Sequence, residues 1–199
     1  MKIQSEKAMT TEDKILEAAL DVVQERTISG TRIHLVAERA GLFQSNIHYY
    51  FKSKKDLLFA VLNRLERRCM DIREELREQV EGTLESEIQI FFEQKKQFIL
   101  HETKYEYAEF DYWTQSHLDE DVKEQFAISF AKWREEISRV IARYRPRLSP
   151  DRREFISAMM VSMMQGATLQ YLVDHNAFEL DDYFSRCKDI VLAQLQAED

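Results

Sequence analysis

Residues that turn or cross-link a chain are scarce here. Four glycines, Gly30, Gly41, Gly82 and Gly166, and two prolines, Pro146 and Pro150, occur in 199 residues. Sheets need turn formers between successive strands, whereas long helices use them only at their ends, so the shortage predicts an all-α fold. The glycines also stand too far apart for a G-x-G-x-x-G loop, a phosphate-cradling P-loop or a G-x-S-x-G elbow. With no H-E-x-x-H helix either, neither an enzyme nor a cofactor site is expected. The two cysteines, Cys69 and Cys187, are far apart and form no C-x-x-C pair, which argues against a metal site. No apolar leader precedes the first helical pattern, so they read as free thiols in a reducing cytoplasm.

Positive charge is in short supply as well: 28 Lys and Arg face 36 Asp and Glu, a net charge of −8. The deficit is uneven. Residues 1–55 carry +2 and residues 56–199 carry −10. A weakly basic head on an acidic body suits a chain that meets a polyanion with one end only. Long apolar runs are nearly absent too. Phe155 to Val173 holds 19 residues without a charge, but Ser157, Ser162, Gln165, Thr168 and Gln170 dilute it. It reads as a helix buried on nearly all sides by protein, with no membrane partner.

What is present is helical spacing. Thr10-Thr11-Glu12-Asp13 has the form of a capping box. Ile15, Leu16, Ala19, Leu20, Val22 and Val23 then recur on one stripe, and Gly30 closes that region. Ile33 to Ala40 reads as a second helix with Gly41 as its left-handed stop, and Gln44 to Phe51 as a third. Ser53-Lys54-Lys55-Asp56 opens a long helix, with Leu57, Leu58, Val61, Leu62 and Leu65 on one side, that runs to about Val80 before Gly82. Further helices follow through Leu84–Ile99, Tyr105–Trp113 and Asp119–Ile141, from Ser149-Pro150, and from Glu179. The total is about nine. We place a head at residues 1–56 and a body at 57–199.

Two of the short helices have the spacing of a helix-turn-helix. Counted from Ile33, the small Ala37 falls where the second helix packs over the first. Gly41 falls where the turn needs positive φ, and the β-branched Ile47 falls under the second helix. The run from Gly41 to Leu57, GLFQSNIHYYFKSKKDL, resembles the signature of the tetracycline-repressor (TetR) family, in which a recognition helix ends in aromatic residues and runs through Lys-x-Lys into the next helix. The resemblance is specific over residues 10–65. It departs at Arg32, where the family often has Thr or Ser, at Leu35, usually polar, and at His34, where Arg is common.

That resemblance implies a DNA-binding head. Gln44, Ser45 and Asn46 open the recognition helix, where short hydrogen-bonding side chains reach base edges, and Gln or Asn can pair bidentately with adenine. His48, Tyr50 and Lys52 are candidate phosphate contacts, and Tyr49 is a candidate for a sugar or a thymine methyl. Lys54 sits at the first turn of the following helix, where the backbone N–H groups also favour phosphate. Thr31, Arg32 and His34 complete the expected DNA-binding set. Double-stranded operator DNA, palindromic to match a homodimer, is the expected partner.

For the body, the resemblance implies a ligand site and a dimer formed by the last two helices. Phe155, Met159, Ser162 and Gly166, with Phe184, Cys187 and Val191, are the expected dimerisation residues. The ligand site is expected among the aromatic residues Phe92, Tyr105, Phe110, Trp113, Phe130 and Trp133, with Glu106, Glu109 and Met163. Rings beside carboxylates suit an aromatic or cationic small molecule. The family's habit makes a repressor released by its effector the leading expectation. The alternatives are a helical protein-interaction adaptor and a small all-α enzyme.

Overall fold

The computed structural model describes residues 9–176 and 178–196. Among them the chain forms nine helices: α1 (Thr11–Gly30), α2 (Ile33–Ala40), α3 (Gln44–Tyr50), α4 (Lys54–Arg77), α5 (Leu84–His101), α6 (Thr103–Ser116), α7 (Glu120–Tyr144), α8 (Pro150–Val173) and α9 (Leu180–Gln196). Three of the anticipated caps form, whereas Ser149 makes no side-chain cap bond at the start of α8 and Thr83 and Asp119 cap α5 and α7 unanticipated. Thr10 Oγ1 accepts from the Asp13 N–H at 3.0 Å, and Asp13 accepts in return from the Thr10 N–H at 3.2 Å. Ser53 Oγ accepts from the Asp56 N–H at 3.1 Å to start α4, which ends at Arg77, earlier than the expected Val80. Gly41 ends α2 at φ 67° and ψ 34°, the left-handed conformation that a side chain disfavours.

One feature of α1 has no warning in the apolar stripe. Thr27 takes φ 64° and ψ 168°, breaking the helix one turn before its end. A β-branched residue with positive φ is strained. The break turns the next residue, Ile28, into the core at 5% exposure.

Two apolar clusters hold the molecule. The first joins α1, α2 and α3 through Ile15, Leu20, Val36, Ala37 and Ile47, and draws in Leu57, Leu58, Val61 and Leu62 of α4. It continues into the body through Tyr105, Ala108 and Tyr112 of α6 and Phe126 of α7. A division after residue 56 therefore cuts a helix whose first turns complete the core of the head. The second cluster lies between α5, α7, α8 and α9, around Phe91, Ile137, Ile156, Met160, Met164, Val191 and Leu195. Burying each such side chain stabilises the fold by about 1.5–3 kcal/mol before chain entropy is counted.

The uncharged stretch of α8, residues 155–173, differs from expectation. Only one side, Ile156, Met160, Met164 and Ala167, enters the core. Phe155, Leu169 and Val173 are exposed by 62%, 54% and 80%. Its lack of charge thus reflects an uncovered apolar face as well as a buried one. Among the described residues, no helix is long and apolar enough to cross a membrane.

Candidate functional site

Helix α3 stands on Ile47, which is fully buried against the head's core, and turns its other faces outward. Gln44, Ser45, His48, Tyr49 and Lys52 are exposed. Tyr49, at 83%, meets Tyr50 edge-on, with ring centroids 5.2 Å apart. Seven residues make a rod short enough to be carried by one core residue and slender enough for a major groove. Phe43, immediately before it, is 82% exposed. Sequence reading passed over this residue, whose only signal is its place at the N-cap position of α3.

The remaining head candidates divide. His34 is exposed. Arg32 is exposed, but its guanidinium donates to the Ser29 and Thr31 carbonyls at 2.6 and 3.0 Å, so it braces the turn as well. Asn46 Oδ1 accepts from the Phe43 N–H at 3.0 Å, so this oxygen is engaged at the start of α3, whereas the Gln44 side chain stands exposed. Lys54 is half-buried, and burial, with Arg32 nearby, lowers its pKa. Thr31 does not fit its expected role. It is fully buried, and its hydroxyl donates to the Thr27 carbonyl at 2.8 Å, closing the kinked end of α1.

In the body, two spaces meet at one carboxylate. A cavity of about 90 Å3 between α4, α5 and α7 is lined by Cys69, Arg73, Lys95, Phe98 and Trp133. A more open cleft of about 300 Å3 between α6, α7 and α8 is walled by Phe110, Trp113, Phe126, Phe130 and Leu169. Glu109 lines both. Behind it, Lys95 Nζ lies 2.7 Å from Glu106 Oε2 and 3.2 Å from Glu109 Oε2, with Gln165 donating to Glu109 Oε1 at 2.6 Å. Burial works against the Lys95 charge, but the two carboxylates prevail and raise its pKa. Arg73 binds Glu136 at 2.6 Å and Gln94 at 2.8 Å on the far side of the cavity.

Glu109, Phe110, Trp113, Phe130 and Trp133 are thus brought together, and four other expected ligand residues are not. Tyr105 packs on Phe98 within the first cluster, centroids 5.4 Å apart. Phe92 packs on Phe184 at 5.5 Å. Met163 packs against the second cluster, and Glu106 lies behind the walls as an ion-pair partner. Sequence reading missed Cys69, Arg73 and Lys95, which come from helices outside the aromatic segment.

The dimerisation candidates separate in the same way. Phe155 and Ser162 are exposed, and Met159 and Gly166 are half-buried on the same side of α8. Phe184, Cys187 and Val191 are instead buried within the chain. They fill the second cluster and leave no side chain to offer a partner. Ile190, at 48% exposure, is the exposed large apolar residue of α9 among the described residues.

Helix α6 connects the cleft with the head. Its Phe110 and Trp113 face the cleft, while Asp111 accepts from the Ile28 N–H just beyond the α1 kink. Tyr112 donates to the Leu58 carbonyl of α4, and Lys104 pairs with Glu17 and with Asp21 at 3.2 Å. A shift of α6 must therefore strain or break bonds to both α1 and α4.

The left-handed turn at Gly41, the buried anchor Ile47 and the outward polar face of α3 define a helix-turn-helix protein, here joined to an all-α body. A sequence profile described as "Bacterial regulatory proteins, tetR family" matches residues 15–61, and one described as "BetI-type transcriptional repressor, C-terminal" matches residues 107–196. The HTH-type transcriptional regulator RutR of Escherichia coli K12 is 45% identical over 51 residues, 26% of this chain and 24% of RutR. The chain thus aligns with about a quarter of the length of that curated relative. A Rhodococcus sp. protein assigned to the TetR regulators superposes with a TM-score of 0.79 at 19% identity, covering 94% of this chain and 98% of its own. A Saccharomonospora viridis protein assigned as a transcriptional regulator and solved in complex with choline gives 0.75 at 19% identity, covering 91% and 95%. This chain belongs to the TetR family of transcriptional regulators.

Proposed function

We propose that the chain is a homodimeric repressor that binds a palindromic operator through α3 and leaves it when a small molecule occupies the cleft beside Glu109. The observation that carries the reading is the two-sidedness of α3: Ile47 is fully buried beneath it, while Gln44, Ser45, His48 and Tyr49 stand outside. Such a helix is anchored from beneath and presents these four side chains to a partner, as groove recognition requires. Dimerisation through the uncovered side of α8, around Phe155 and Ser162, sets two heads on one duplex. A twofold pair reads half-sites one helical turn, about 34–36 Å, or a multiple apart.

Release follows from linkage. An effector that favours one position of α6 biases the Asp111–Ile28 and Tyr112–Leu58 bonds, and with them the separation of the two heads. A coupling of about 1–3 kcal/mol between the sites is sufficient. The test is footprinting of chromosomal fragments retained at low salt. A twofold-symmetric footprint that an effector abolishes is the expected result. Failure to retain any fragment would remove the reading.

A further inference from the structure

The ion cluster behind the aromatic cleft is unbalanced. One ammonium, Lys95, serves two carboxylates, Glu106 and Glu109, whose side chains are 0% and 14% exposed against 3% for the lysine. The charges around it are matched among themselves. Arg73 of α4 pairs with Glu136 of α7 at 2.6 Å, and Glu66 of α4 pairs with Lys132 of α7 at 2.9 Å. Cys69 of α4 is a neutral thiol, pushed up to about 12 by burial, and α8 contributes the uncharged Gln165 and Thr168. Fully ionised, the cluster would hold one uncompensated negative charge inside the body, a costly arrangement.

A proton is the simplest remedy, and Glu106 has a place for one. Its Oε1 is buried without a hydrogen-bond partner, and the Thr168 hydroxyl facing it donates to the Met164 carbonyl at 3.0 Å. Burial, opposed by Lys95 and aided by Glu109, pushes the Glu106 carboxyl up to about 7. In front of the cluster, Glu109 is the one ionisable group lining the cleft among the described residues, and four aromatic rings supply most of the wall. Ring faces carry negative quadrupole density that attracts cations and repels anions.

We propose that the aromatic cleft takes an organic monocation, whose charge settles beside Glu109 and replaces one proton held by the Lys95–Glu106–Glu109 cluster. The proposal rests on the reading of this cleft as the effector site. The exchange balances: the cation enters, the Glu106 O–H bond breaks, and the proton passes to solvent. Lys95 then holds two carboxylates, and the site remains neutral before and after.

The test uses the full chain and a probe that cannot donate a hydrogen bond, phenyltrimethylammonium, beside its uncharged isostere tert-butylbenzene. Binding is followed by the fluorescence of Trp113 and Trp133, and by calorimetry in two buffers of different protonation enthalpy. The cation should bind at least about tenfold more tightly than the isostere at pH 8. Its affinity should rise about tenfold from pH 6 to pH 8, with about one proton released at pH 6. Glu106→Gln should abolish both the proton release and the pH dependence. If that variant does not fold, the two-buffer comparison on the unmodified chain decides alone. No cation binding, equal binding of the isostere, or binding without proton release overturns the proposal. None of these readouts involves DNA. Cation binding with proton release by a chain that retains no DNA would remove the repressor reading and leave this one, and the converse result would do the reverse.

Discussion

Gly41 and Thr27 both adopt positive φ, and they bracket α2 with opposite consequences. At Gly41 an added Cβ would meet nothing within 4 Å, so Gly41→Ala isolates the backbone cost of the left-handed turn. The variant should lose about 1–2 kcal/mol in urea denaturation and still bind DNA. Thr27 takes its φ of 64° without being a glycine. Thr27→Gly should therefore stabilise the chain by about 1 kcal/mol, because relief of strain exceeds the entropy of the added freedom. A destabilised variant would mean that the conformation stores no strain. Of the two, only Gly41 was legible in the sequence, since a glycine after a short apolar-periodic helix has a known role. Nothing in Arg26-Thr27-Ile28 signals a break, because tertiary demand, the seating of Ile28 in the core, imposes it.

At the scale of the helix, α6 has three duties that its sequence blends together. Aromatic and acidic residues alternate through Tyr105–Trp113, and helical spacing alone cannot tell a ligand site from core there. Distances separate the duties: Tyr105 and Tyr112 are core, Asp111 is a tether, and Glu109, Phe110 and Trp113 line the cleft. Removing the tether with Asp111→Ala leaves the Ile28 N–H without its acceptor, at a cost of about 1–3 kcal/mol. We expect that loss in denaturation midpoints, together with DNA binding that no longer responds to an occupied cleft. Unchanged release would show that the signal travels through the Tyr112 bond to α4 or the Lys104 pairs to α1 rather than through Asp111. The same limit of periodicity explains the dimerisation residues. Phe184, Cys187 and Val191 form an apolar stripe that suits an interface or a core equally well, and the packing of α9 on α5 and α8 makes it core.

For the molecule as a whole, sequence is legible where local chemistry decides and falls short where remote segments meet. Helix number, the head's turn and the caps at Thr10, Gly41 and Ser53 follow from residues a few positions apart. The cavity wall does not, because Cys69, Lys95 and Trp133 come from three helices whose mutual placement no local pattern encodes. The proposed dimer rests on the bare side of α8, where a large apolar residue such as Phe155, 62% exposed, would gain by a partner's cover. Phe155→Glu should yield monomers by sedimentation with an unchanged helical spectrum. Operator affinity should fall by orders of magnitude, since each head then binds alone.

Selection from a random duplex library at fixed salt, run with the unmodified chain and with Gln44→Ala, tests the groove-reading role of α3 most directly. The unmodified chain should enrich a palindrome, and the variant should enrich the same half-site spacing with preference relaxed at one symmetric pair of positions, at about 1–3 kcal/mol per half-site. An identical preferred sequence from both proteins, or no enrichment from either, would contradict the account.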